Sequence, residues 1–316
     1  KQFQVTDATT KQFEYFYRTY GPSARLLSRY GAIPEKFEKA LVSKIKKLDL
    51  PTLEDLIEPV QKADPDWIFG VFPGIRRDRP IVNFYTREMY RLLVQNAFGG
   101  RWDEHVRDVY RLFKFWPETH GPAGYILEDR LHKLLQGGSV WELTELVVQS
   151  NRSVVNNVYY RSTSTSKLLV IGQGARIIDK TAQLPMTSAL VLHRYLPANS
   201  DEDWFAPGYH QPISSTQAAF DSYIVNHPDK SIFAFQFAFA GDHDVKSEGM
   251  SWLQQTYPGY EFHYIAFTDD HKVKIPMPKT HDHMWKTRWH VLVKEDELFS
   301  QVRDYSDLQV VCTRRK

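Results

Sequence analysis

From Thr10 to about Asn96, apolar residues recur three and four positions apart. Phe13, Phe16, Tyr17 and Tyr20 form one such group, and Phe37, Leu41, Ile45 and Leu48 form another. That spacing puts each group on one face of a helix and predicts two amphipathic helices. The rhythm breaks between Asp66 and Tyr85. There Trp67 to Phe72 and Ile81 to Tyr85 flank Gly74-Ile75-Arg76-Arg77-Asp78-Arg79-Pro80, which predicts a β-hairpin with a basic tip. Helical spacing returns through Met89, Leu92 and Leu93, and again through Val106, Val109, Tyr110 and Phe113.

Pro117-Glu118-Thr119-His120-Gly121-Pro122 interrupts this pattern, because proline ends a preceding helix and is tolerated in the first turn of the next. The predicted domains are therefore 1–116, helical with a basic-tipped hairpin, and 117–316. The second opens with a helix from Ala123 to about Leu135, closed by Gly137-Gly138. The period then shortens. Val154–Arg161, Lys167–Ile171, Ala189–Tyr195, Ile232–Phe239 and Tyr260–Phe267 predict strands, with a helix at Glu248–Tyr257 between the last two. The class is α+β or α/β, with a mixed sheet flanked by helices in the second domain.

A chain of 316 residues suits two domains. Its formal charge of +2 gives no global field toward nucleic acid or anionic lipid, so any anion site must be local. Its one cysteine, Cys312, excludes an intrachain disulfide and suits a reducing, intracellular compartment. No apolar run is long enough for a membrane span. The chain begins at Lys1 with no basic and apolar leader, which suggests a signal peptide absent or removed, or a piece of a longer protein.

Three polar residues stand in apolar surroundings. Glu128 lies between Leu127 and Leu131 at the edge of a helix's buried face. Asp221 precedes the apolar Tyr223-Ile224-Val225, and Gln236 interrupts the strand Ile232–Ala240. A buried carboxylate needs a cation, a metal or several donors, and a buried amide needs partners. Taken singly, a surface glutamate, a turn aspartate and a backbone-bonded glutamine suffice. Taken together, a helix carboxylate, a hairpin aspartate and a polar residue 15 positions on in the next strand match the order of the PD-(D/E)XK nuclease core. In that core acidic groups hold Mg²⁺, which activates water.

Longer segments carry a resemblance. Thr19-Tyr20-Gly21-Pro22-Ser23-Ala24-Arg25, Pro117-Glu118-Thr119, Gly121-Pro122-Ala123-Gly124-Tyr125-Ile126-Leu127-Glu128, Phe220-Asp221-Ser222, Phe235-Gln236 and Gly241-Asp242-His243-Asp244-Val245-Lys246-Ser247-Glu248-Gly249 occur in this order. The chain, from about Thr10 to Pro278, resembles fungal Crinkler-type or retrotransposon-hot-spot-type proteins, which join a P-loop NTPase to a PD-(D/E)XK-like nuclease domain. The resemblance implies a restriction-endonuclease-like domain over 117–316. It implies a Mg²⁺- or Mn²⁺-dependent endonuclease acting on DNA, an effector or conflict role in the nucleus, including a host nucleus, and a host nuclear protein as a further partner.

Two departures qualify it. No Gly-x-x-x-x-Gly-Lys-Ser/Thr occurs, so the NTPase module is missing and no ATP is expected. Ala238 occupies the position of the nuclease lysine, two residues after Gln236. The expected metal ligands are then Glu128, Asp221 and Gln236, with His243 or Lys246 replacing the lysine charge. Arg76, Arg77 and Arg79 would hold nucleic-acid phosphates as the wing of a winged-helix-like domain does. The alternative is a catalytically impaired nuclease fold that binds nucleic acid or a host protein.

Other features predict little chemistry. Thr280-His281-Asp282-His283-Met284 and His290 lack zinc spacing and read as surface histidines, Gly172-Gln173-Gly174 reads as a turn, and Lys44, Lys46 and Lys47 as a solvated face.

Overall fold

The structure is a computed structural model. It describes residues 7–57, 67–73, 80–148, 155–195, 205–213, 219–239, 245–300 and 310–311. The chain divides into two compact units, Lys1–Ile126 and Leu127–Lys316. The division falls within the helix that follows Thr119.

The first unit holds α1 (Asp7–Tyr20), α2 (Ala24–Tyr30), α3 (Pro34–Ile45) and α4 (Leu50–Ile57), then β1 (Phe69–Pro73) and β2 (Pro80–Phe84), then α5 (Arg87–Asn96) and α6 (Trp102–Phe115). The predicted apolar faces are its core. Phe16, Tyr20 and Phe37 meet with ring centroids 5.0–5.1 Å apart, and Leu41 and Ile45 are buried on the same face of α3. Lys44, Lys46 and Lys47 are exposed, as a solvated face requires. β1 and β2 pair antiparallel from Phe69↔Phe84 to Pro73↔Pro80, and Phe69 and Phe84 pack edge-on against Phe113 of α6. The arginine-bearing tip of this hairpin lies outside the described residues.

Two glycines quoted above owe their place here to packing. Gly21 has φ +99°, and a Cβ there would sit 2.4 Å from Tyr85 Cβ; at Gly121 it would sit 2.7 Å from the Asn83 side chain. Neither site accepts a larger residue without displacing the hairpin's neighbours.

α7 (His120–Gln136) crosses into the second unit and stops where Gly138 takes φ +84°. The strands that follow are β3 (Val140–Val148), β4 (Asn156–Ile171), β5 (Ala175–Asp179), β6 (Leu192–Tyr195), β7 (Gly208–Pro212), β8 (Ser222–Asn226) and β9 (Ser231–Ala238). After these come α8 (Ser247–Thr256), β10 (Glu261–Thr268), β11 (Lys274–Pro278), α9 (Lys279–Asp282), β12 (Trp285–Leu292), α10 (Glu295–Leu298) and β13 (Val310–Val311). They form one mixed sheet in the order β11-β4-β3-β12-β10-β9-β8-β7-β6-β13, with β5 paired to β4. The molecule is thus α+β, and its large mixed sheet is flanked by helices. β9, β10 and β12 run parallel, while β7, β8 and β9 pair antiparallel. No helix among the described residues is long and apolar enough to cross a membrane.

Several expectations need correction. The two strands expected at Val154–Arg161 and Lys167–Ile171 are one, β4, and register shifts against β3 absorb the extra residues of its middle. The strand expected at Ala189–Tyr195 begins only at Leu192. His290 is no surface histidine: it sits fully buried in β12, 0% exposed. Gly172-Gln173-Gly174 is the β4–β5 turn, closed by Gly172 N donating to Gly174 O at 2.8 Å.

Candidate active site

β8 and β9 are buried along their whole length. Alternation along β9 sends Phe233, Phe235 and Phe237 to one face of the sheet and Ile232, Ala234, Gln236 and Ala238 to the other. On the first face Phe237 meets the His132 ring of α7 at 5.0 Å, and Phe235 stacks on Tyr209 of β7. On the second, Ile232 and Ala234 share a core with Met250, Leu253 and Tyr257 of α8.

Asp221 stands immediately before β8. Its backbone N donates to Phe235 O at 2.8 Å, and its Oδ2 accepts from Phe237 N at 2.6 Å. These two bonds bracket Gln236 and hold the carboxylate at the carboxyl end of β9. Two residues earlier Ala219 has φ +96°, a conformation that costs a residue with a Cβ about 1–2 kcal/mol and persists only where the surroundings fix it.

Gln236 is 2% exposed. Its Oε1 accepts a hydrogen bond from the Tyr264 hydroxyl of β10. Burial, and then the charge of Asp221, push that phenol well above its ordinary pKa. Across the sheet, the Tyr209 hydroxyl donates to Ser222 Oγ at 2.7 Å and lies 2.7 Å from His132 Nδ1. Burial drives its pKa up, and the charges of Asp221 and Glu128 push in the same direction. Both carboxylates therefore stand within electrostatic reach of one buried phenol. Glu128 Oε1 lies 3.4 Å from His132 Nε2, one helical turn away, so a polar chain runs Glu128–His132–Tyr209–Ser222 and ends beside Asp221.

Glu128, Asp221 and Gln236 thus come from α7, the entry to β8, and β9. Glu128 is one-fifth exposed, at 20% of its side chain. Lys246 is exposed just before α8, and Ala238 is buried at the end of β9 on the Gln236 face. His243, Arg76, Arg77 and Arg79 lie outside the described residues. Among the described residues no group of three or more His, Cys, Asp and Glu side chains is disposed to hold a metal ion.

His132, Tyr209, Ser222 and Tyr264 escaped the sequence reading. Only His132 left a signal, its spacing of four from Glu128 on a helix. Comparison of the chain with protein-family models, curated proteins and solved structures gives no match.

Proposed function

We propose that the second unit is a metal-dependent phosphodiesterase acting on nucleic acid, DNA first, of the PD-(D/E)XK class and related to Crinkler-type effectors. The observation that supports it most is Asp221, which brackets Gln236 through the backbone and, like Glu128, acts by its charge on the buried Tyr209 hydroxyl. Asp221 and Gln236 lie together at the carboxyl end of β9, while Glu128 stands on the face of the sheet that Phe237 and His132 share.

Mg²⁺ is commonly held by one or two carboxylates, with water and substrate phosphate completing its shell. Glu128 and Asp221 would supply the two carboxylates, and the Gln236 oxygen, held by Tyr264 on the α8 face, would reach the metal only from the Asp221 side. Bound there, the metal would polarise the phosphoryl group and lower the pKa of a water. The chain's own work is positional. Phe237 N holds Asp221, His132 braced by Tyr209 holds Glu128, and Tyr264 holds the Gln236 amide. In this reading the first unit serves as a winged-helix-like platform whose β1–β2 tip carries Arg76, Arg77 and Arg79 to the phosphate backbone, and the site of action is a nucleus.

A second reading has its own support. Ala238 offers no cation, and the Gln236 oxygen is already engaged by Tyr264. Both favour a module that has lost cleavage and binds nucleic acid or a host protein. Plasmid nicking under Mg²⁺, Mn²⁺ and chelator separates the two. The nuclease reading expects slow nicking that chelator and Asp221→Asn abolish and that His243→Ala or Lys246→Ala slows about 10²-fold. Nicking indifferent to Asp221→Asn refutes it, and DNA retention without metal-dependent nicking supports the second reading.

A further inference from the structure

On the α8 side of the sheet, strand register sets Gln236 beside Ala266, Ala266 beside His290, and His290 beside Thr144 of β3. Arg161 of β4 reaches into this row. Its Nη2 donates to Thr144 Oγ1 at 3.4 Å, and its Nη1 lies 3.0 Å from His271 Nδ1.

His290 has a determined tautomer. Thr268 Oγ1 gives its hydrogen to Asp270 O at 2.8 Å, so it must accept from His290 Nε2, 2.9 Å away. Burial first, then the charges of Arg161 and His271, push the imidazole down to about 3, so it is neutral at pH 7. Its Nδ1 is consequently a bare acceptor, buried and without a partner among the described residues. Arg161 Nε is the complementary case, a buried donor without an acceptor. Groups left unmet in this way are rare and mark a missing partner.

Thr144 and Arg161 border a cavity of about 60 Å³ whose other walls are Trp141, Glu142, Val291, Leu292, Lys294 and Glu297. It has room for roughly two waters, which suits a single tetrahedral anion and excludes a nucleoside. Glu142 is paired with Lys180 and Glu297 with Lys294, so the carboxylates at its rim are neutralised. Arg161 has no carboxylate partner among the described residues.

We propose that Arg161 and Thr144 form a binding site for one phosphoryl group of the monoester or inorganic type, with His271 holding the guanidinium and His290 next to Thr144 in the strand register. The oxygens of such a group take the guanidinium donors, whose planar fork matches them. A cavity of about 60 Å³ takes a free or terminal phosphoryl group and has no room for the two sugars of an internal phosphodiester. The site does not depend on metal or on Asp221, and free phosphate or the phosphorylated end of a strand could supply the ligand.

Calorimetric titration of the full chain with inorganic phosphate tests it, with the His290 ¹⁵N resonances as a second readout. We expect saturable binding that shifts the Nδ1 signal. Arg161→Gln should weaken it at least about tenfold, the equivalent of one charge-assisted contact. Arg161→Lys should lose less, and Arg176→Gln and Asp221→Asn should lose nothing. Competition by a 5′-phosphorylated trinucleotide assigns the site to strand ends, and its absence to free phosphate; both support the phosphoryl site. No saturable binding by the unmodified chain, or equal affinity in a folded Arg161→Gln protein, overturns it.

Discussion

Changing Gln236 to glutamate supplies the third carboxylate that the proposed metal site lacks. Position 236 is 2% exposed and bracketed by the two bonds of Asp221, and the Cβ atoms of side chains opposed across strands stand about 4.5–5.5 Å apart. Two negative charges at that distance repel by ~3 kcal/mol at an effective dielectric constant of ~20. Burial of the new charge adds to this unless the group takes up a proton. In chelator, Gln236→Glu should therefore lose at least ~3 kcal/mol. For a unit of this size each kcal/mol moves the midpoint by about 2–4 °C, so a fall of ~6–12 °C is expected. A divalent ion between the carboxylates removes the repulsion, and at a hundredfold excess over its Kd returns about 2.7 kcal/mol. Scanning calorimetry with Mg²⁺ and with chelator reads both effects. If Mg²⁺ raises the midpoint of the variant no more than that of the unmodified chain, Gln236 does not face a metal and the reasoning fails.

Asp282 accepts hydrogen bonds from Asn157 Nδ2 at 2.6 Å, the Tyr159 hydroxyl at 2.6 Å and Arg288 Nε at 2.9 Å. Asp282→Ala strands a largely buried guanidinium and should cost about 3–5 kcal/mol in denaturant unfolding; a loss under 1 kcal/mol contradicts the burial. Burial, the leading cause in each, holds His210 and His290 down to about 3 and His263 to about 4. Near pH 6.5 the unfolded chain takes protons that the folded one refuses. Stability should therefore fall steadily as pH drops from about 6.5 toward 4, and ordinary titration of these three rings by NMR would contradict it. Ala219→Gly should relieve the positive φ and raise the midpoint by an amount equivalent to about 1 kcal/mol; a lower midpoint refutes strain there.

Elements were legible where one period dominated. α1 and α3 announced themselves because one apolar face meets one core, and β9 because burial on both faces writes a continuous apolar run. β3 and β12 were hidden for the opposite reason. Glu142 and Glu145 in one, Lys286 and Arg288 in the other, face partners or solvent, so neither strand carries an apolar run, and His290 of β12 read as a surface histidine. Glu128, Asp221 and Gln236 stood out as polar residues in apolar company. The groups that brace them did not, since His132 and Tyr209 are 77 positions apart and a tyrosine in a short strand reads as core. The meaning of Gly21 and Gly121 was equally hidden, because the atoms that exclude a side chain there belong to a hairpin tens of residues away or more.

The connectivity of the sheet has a consequence for biosynthesis. β4 takes β11 as its partner and β3 takes β12, pairings in which each strand waits for residues more than a hundred positions downstream. Until the ribosome has released the chain through Leu292, the β3–β4 ladder has one flank that nothing occupies, and unpaired strand edges invite association between chains. The helices and hairpin of the first unit close over much shorter spans and can form while translation continues. Termination shortly after α8 would strand the nascent sheet with that flank open. Such a product should accumulate in the insoluble fraction, while a product ending before β3 should stay clear of it.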